Sequence, residues 1–188
     1  MLSSTLSSLL LVALAELGDK SQLVCMTLAA RHRPGPVLLG ACLAFAGLDA
    51  LAVVFGAGIA ALVPERVLAG VVGLLFLAFG VAAFRDPEPD EVVDEAPGTG
   101  RSVLLSTTLL VFLAEFGDKT QLAVAALAAE LEPLAVWIGA TAGLCAVSAL
   151  GVLAGRRLLR RLPVSLLHRA AGALFLALGL VTLTQAIP

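Results

Sequence analysis

Leu14-Ala15-Glu16-Leu17-Gly18-Asp19-Lys20-Ser21-Gln22-Leu23 returns as Leu113-Ala114-Glu115-Phe116-Gly117-Asp118-Lys119-Thr120-Gln121-Leu122, without a gap, 99 residues further along the chain. Scattered alanines and leucines match by chance in an apolar chain. Ten residues that include Glu, Asp, Lys and Gln do not. The register holds beyond this acidic box: Gly40-Ala41 falls on Gly139-Ala140, Pro64 on Pro163, and Phe76-Leu77-Ala78 on Phe175-Leu176-Ala177. The chain is a duplication, and each copy carries one box.

Both boxes are embedded in apolar sequence. The chain is 60% hydrophobic and only 14% charged, with a mean hydropathy of +1.03. Soluble domains sit nearer ~45–50% apolar and ~25% charged. A soluble fold of 188 residues could not hide this much apolar surface, so the bilayer is the expected solvent. The net charge of −2 includes no basic field, and nucleic acid is excluded as a partner. A membrane-crossing helix takes about 20 apolar residues. Six such runs cover about 6–29, 37–63, 67–84, 103–129, 134–155 and 166–187. Between the third and fourth lies a segment rich in Asp, Glu, Pro and Gly, which reads as a solvated linker. The expectation is an all-α membrane protein. Residues 1–84 form a first three-helix repeat, 85–101 an acidic cytoplasmic linker, and 102–188 a second three-helix repeat.

Three spans is an odd number, so the second copy enters the membrane from the opposite side. The six transmembrane helices then form two inverted repeats. Basic residues orient them. Arg31, Arg33, Arg85, Arg101, Arg156, Arg157, Arg160, Arg161 and Arg169 fall on one face, and Arg66 alone on the other. The positive-inside rule places the arginine-rich face in the cytoplasm and both termini outside. No Lys or Arg precedes the first apolar stretch, which argues against a secretory signal and for a multi-pass protein of a prokaryotic plasma (inner) membrane. Cys25, Cys42 and Cys145 lie inside apolar runs, form no C-x-x-C pair, and read as small buried hydrophobes. Trp137 reads equally as an interfacial anchor or as packing.

A charged side chain at the bilayer centre costs at least ~2.5–3.5 kcal/mol. The two boxes carry six such groups, so these groups must face one another or water. On a continuous helix Glu16, Asp19 and Lys20 stand at i, i+3 and i+4 and share a face, and the second box repeats that spacing. Gly18 and Gly117 precede the aspartates. They serve either close helix approach or local unwinding, and spacing does not choose between these. Four carboxylates and two ammonium groups sum to −2. One dehydrated divalent cation neutralises that charge, and two protons do the same, which is the physical basis of an exchanger. The donors are oxygens from Glu, Asp, Gln, Ser and Thr. They suit hard cations such as Ca²⁺ and Mn²⁺, whereas Zn²⁺ and Cu⁺ fit poorly and Mg²⁺ sheds its waters reluctantly. Asp49, in mid-span, has Ser148 as its counterpart. An intramembrane acid is a functional candidate, here as a proton carrier, an extra ligand or a partner of Lys20.

The doubled Glu-x-Gly-Asp-Lys-Ser/Thr-Gln box, at the starts of two three-span halves, resembles the GDT family of cation exchangers over all six spans. The resemblance implies exchange of Mn²⁺ or Ca²⁺ for protons, with Mn²⁺ export from the cytoplasm preferred. It implies that Glu16, Asp19, Glu115 and Asp118 are the acids of the metal site. Ser21, Gln22, Thr120 and Gln121 would be oxygen donors beside them, and Lys20 and Lys119 would balance charge. No permanently bound cofactor and no enzymatic activity are expected, and Mn²⁺ or Ca²⁺ is cargo. The rivals are a Ca²⁺/H⁺ exchanger with the same site, a non-transporting structural subunit whose boxes staple helices, and a metal-dependent membrane enzyme. Against the last, no separate nucleophile or base lies near the boxes.

Overall fold

The computed structural model describes residues 1–17, 20–82, 84, 100–159 and 164–186, and among these all regular structure is helical. Most of the acidic linker lies outside the described residues. The helices are α1 (Leu2–Glu16), α2 (Lys20–Arg31), α3 (Pro34–Leu62), α4 (Glu65–Ala82), α5 (Gly100–Glu115), α6 (Lys119–Glu130), α7 (Pro133–Leu159) and α8 (Val164–Ala186). Proline sets two of the starts. Pro34 and Pro133 occupy first helical positions, where the missing N–H is no loss and φ is already helical. By length and composition, Pro34–Leu62 and Pro133–Leu153 are long and apolar enough to cross a membrane, while Leu2–Glu16, Arg66–Ala82 and Gly172–Thr184 are shorter apolar helices.

Neither box lies within one continuous helix. α1 stops at Glu16 and α2 starts at Lys20, and α5 stops at Glu115 and α6 starts at Lys119. Gly117 has φ +80°, a left-handed conformation that an L side chain disfavours. Leu17 caps α1 in an extended conformation, with ψ 108°. Of the two glycine roles left open by spacing, the second box uses unwinding. The i, i+3, i+4 stripe therefore does not exist there: Glu115 ends one helix, and Asp118 is the N-cap of the next.

Packing crosses between the halves. α1 runs alongside α7 in parallel, with Thr5 at Gly139 and Leu9 at Gly143. α5 runs alongside α3 in parallel, with Leu104 at Gly40 and Phe112 at Gly47. The offset of 99 turns one pair into the other. A Cβ on Gly40 would lie 2.7 Å from the Leu104 carbonyl oxygen and 3.0 Å from Thr107 Cβ. Gly139 meets Thr5 and Ser8 in the same way, so glycine is needed for both crossings. α3 and α7 are antiparallel neighbours, joined by Cys42 with Cys145 and by Asp49 with Thr141. α4 and α8 are antiparallel as well, with Gly73 at Leu183 and Gly80 at Leu176. Phe76, Phe79 and Phe175 pack together between them, their centroids 5.9 and 5.8 Å from that of Phe175.

The exterior is apolar. Leu6, Leu43, Leu74, Leu105, Leu122, Leu150 and Leu180 are all exposed. Water would oppose so continuous an apolar surface, and lipid does not. The cysteines depart from the reading as three separate buried hydrophobes. Cys25 is free and buried, but Cys42 of α3 and Cys145 of α7 are disulfide-bonded, their Cα atoms 5.4 Å apart. Sequence spacing gave no sign of this pair, because the crossing of α3 and α7 creates it.

Candidate metal site

Breaking the helix at the second box puts a glutamate on a helix C-terminus and an aspartate at the next N-terminus. Glu16 closes α1, Glu115 closes α5, and Asp118 precedes α6. The packing of the two halves brings these three together. One carboxylate oxygen from each of Glu16, Glu115 and Asp118 lies within 4.8 Å of the others. Glu16 is fully buried, Glu115 is 9% exposed, and Asp118 is half-buried. The Asp118 side chain makes no capping hydrogen bond to α6 and is not held in that role.

Three ionised carboxylates at this spacing repel. At 4.8 Å and an effective dielectric of about 20, each pair opposes the arrangement by about 3.5 kcal/mol. A divalent cation or protons would relieve that repulsion. The spacing also fits an ion: Ca²⁺ binds oxygen at about 2.3–2.6 Å, so two ligands on opposite sides stand about 5 Å apart. The C-termini of α1 and α5 meet here, and the negative end of each helix dipole favours a cation.

The boxes also bond directly. Thr120, second in α6, donates its hydroxyl hydrogen to Glu16 Oε1. Gln22 donates from Nε2 to the Val147 carbonyl of α7 at 3.0 Å, and Gln121 donates to the Leu48 carbonyl of α3 at 3.4 Å. Gln121 Oε1 accepts the Gly117 N–H at 2.6 Å, bracing the break. Lys119 opens α6 with its side chain exposed. Asp19, and the side chains of Lys20 and Ser21, lie outside the described residues.

Asp49 is buried on α3, and its Oδ2 accepts the Thr141 hydroxyl of α7 at 2.8 Å. Sequence reading missed Thr141. It is one hydroxyl in an apolar run, and its counterpart by the repeat is Cys42, so symmetry gave no pointer. Ser148, the counterpart of Asp49, is in hydrogen-bond contact with Cys25 of α2. Trp137 is half-buried and donates its indole N–H to the Ala46 carbonyl at 3.0 Å, which favours packing over an interfacial anchor.

The chain is similar to known proteins over most of its length. A family model described as "Divalent cation/proton antiporter GDT1" matches residues 4–91 and again 103–188, one match to each half. A protein of Vibrio cholerae named "Putative manganese exporter" is 32% identical over 178 residues, covering 93% of this chain and 88% of that protein. The chloroplastic protein PAM71 of Arabidopsis thaliana is 32% identical over 211 residues, covering 96% of this chain and 56% of its own length. A GDT1-like protein of Synechocystis is 29% identical, covering 97% of both. No solved structure matches the chain.

Proposed function

The chain belongs to the GDT1 family of divalent cation/proton antiporters, and from that premise we propose that it exports Mn²⁺ from the cytoplasm in exchange for protons. The observation that carries this reading is the convergence of Glu16, Glu115 and Asp118 from two distant boxes onto one volume the size of a cation. The similarity to the Vibrio cholerae protein supports Mn²⁺ as cargo.

In this reading Asp19 joins the three acids, and Ser21, Gln22, Thr120 and Gln121 stand beside them as oxygen donors. Lys20 and Lys119 balance charge. Asp49, bonded to Thr141 between the central helices, carries protons. The broken pairs α1–α2 and α5–α6 each form one interrupted span, so the chain crosses the membrane six times as two inverted three-helix repeats, 1–84 and 102–188, joined by the linker of 85–101. The parallel α1/α7 and α5/α3 packings, with the antiparallel α3/α7 and α4/α8 packings, support that arrangement. The arginine distribution supports a cytoplasmic linker and external termini in a prokaryotic plasma membrane. Rocking of one half against the other exposes the site to each face in turn.

A Ca²⁺/H⁺ exchanger would use the same hard oxygen donors, and flux separates the two readings. Purified protein in vesicles with an imposed pH gradient is expected to move Mn²⁺ faster than Ca²⁺. Glu16→Gln and Asp118→Asn are expected to abolish the movement. Transport surviving both substitutions removes the acids from the site. Flux of neither cation leaves only the helix-stapling role.

A further inference from the structure

Gln22 and Gln121 make the same bond twice. Each is the third residue of a helix that follows a break, α2 or α6. Gln22 Nε2 reaches the carbonyl of Val147, and Gln121 Nε2 reaches that of Leu48. The repeat offset of 99 maps Gln22 onto Gln121 and Leu48 onto Val147. Each acceptor immediately precedes the polar residue of its central helix, Ser148 or Asp49. A carbonyl inside a helix has a second lone pair beyond its ladder bond, so it can accept a side-chain donor without breaking the helix.

The two bonds are not equally made. Gln22 is 1% exposed, bonds at 3.0 Å and lies over Gly151, where a Cβ would come within 2.7 Å of Gln22 Cγ. Glycine there leaves a seat for the amide. The counterpart of Gly151 is Ala52, and Gln121, the counterpart of Gln22, is half-buried and bonds at 3.4 Å. One strap is seated and the other is stretched. Gln121 is also tied to the acids, because its Oε1 holds the N–H of Gly117, the residue between Phe116 and Asp118. The same amide therefore bonds both Leu48 and the residue next to a site acid.

We propose that Gln22 and Gln121 are positioning residues that couple cation occupancy of the acidic site to the packing of α2 on α7 and of α6 on α3, one strap seated while the other is released. This rests on the exchange reading above. It goes beyond that reading by naming the contacts that change as access alternates.

Glutamate in place of glutamine separates a strap from a ligand. It keeps a hard oxygen for the cation and loses the N–H donor to the carbonyl. Equilibrium Mn²⁺ binding and Mn²⁺ flux are measured on Gln22→Glu and Gln121→Glu in vesicles, after each is shown to be monodisperse. Flux is expected to fall at least tenfold further than binding in each variant. Flux within twofold of the parent, or binding and flux falling in parallel, overturns the proposal. A second readout needs no cation. With Cys25, Cys42 and Cys145 replaced by alanine and Ser148→Cys introduced, Gln22→Glu is expected to raise labelling by a water-soluble maleimide at least fivefold. Unchanged labelling overturns the strap. If the parent protein neither binds nor moves Mn²⁺, the exchange reading falls, and the labelling result still decides the strap.

Discussion

The Thr120 hydroxyl and the Glu16 carboxylate form a buried hydrogen bond across a sequence separation of 104 residues, joining the second residue of α6 to the last residue of α1. It is a direct link between the two boxes, and it orients one acid of the proposed site. A hydrogen bond to a charged group contributes roughly 1.5–3 kcal/mol. Thr120→Val should therefore weaken Mn²⁺ binding by about tenfold or more, and Thr120→Ser, which keeps the hydroxyl, should restore most of it. Titration of Mn²⁺ into the purified variants checks this, and equal affinities for the valine variant and the parent would remove the bond from the site.

In the proposed exchange protons and metal share the same carboxylates, so Mn²⁺ affinity should fall as pH falls. Binding that displaces two protons changes affinity by up to about a hundredfold per pH unit, and displacement of one by about tenfold. Glu115→Gln removes one exchangeable group and should flatten the slope accordingly. The measurement is the Mn²⁺ dissociation constant across a pH series. A flat line in the parent protein would rule out competition.

Gly117 tests the break itself. Its φ of +80° is left-handed, yet a Cβ there would meet nothing within 4 Å. Any effect of substitution is therefore backbone conformation and not crowding. Gly117→Ala should destabilise the protein by about 1–2 kcal/mol, and Gly117→Asn by less, because asparagine tolerates this region. Thermal unfolding in detergent reads both.

Asp49 and Thr141 separate proton handling from metal binding. Asp49→Asn keeps an oxygen to accept the Thr141 hydroxyl and loses the ionisable group. Mn²⁺ should still bind, while flux should lose its dependence on the pH gradient. Thr141→Val leaves the buried carboxylate without this donor, and a loss of about 1–3 kcal/mol in stability is expected. An Asp49→Asn protein with gradient-driven flux equal to that of the parent would exclude this residue from the proton path.

Amino-acid order by itself determined the duplication, the membrane solvent and the acids. Ten matched residues at one offset cannot arise from apolar low complexity, and Glu, Asp and Lys in apolar runs are costly wherever the chain places them. Order also set the glycine before each aspartate, but not its use. Helical spacing pointed to a continuous face for Glu16, Asp19 and Lys20, whereas Gly117 at φ +80° divides the second box between two helices. Local spacing assumes an unbroken helix, and only the surrounding helices supply the partners that an unwound backbone needs in lipid. The meeting of Glu16 with Glu115 and Asp118, the pairing of Asp49 with Thr141 and that of Cys42 with Cys145 belong to the tertiary structure alone. Each joins residues about a hundred positions apart, and no local pattern encodes which turn of α3 faces which turn of α7. The glycine crossings at Gly40 and Gly139 set the register of α3 on α5 and of α7 on α1, because close approach of the backbones is satisfied at few positions along each helix.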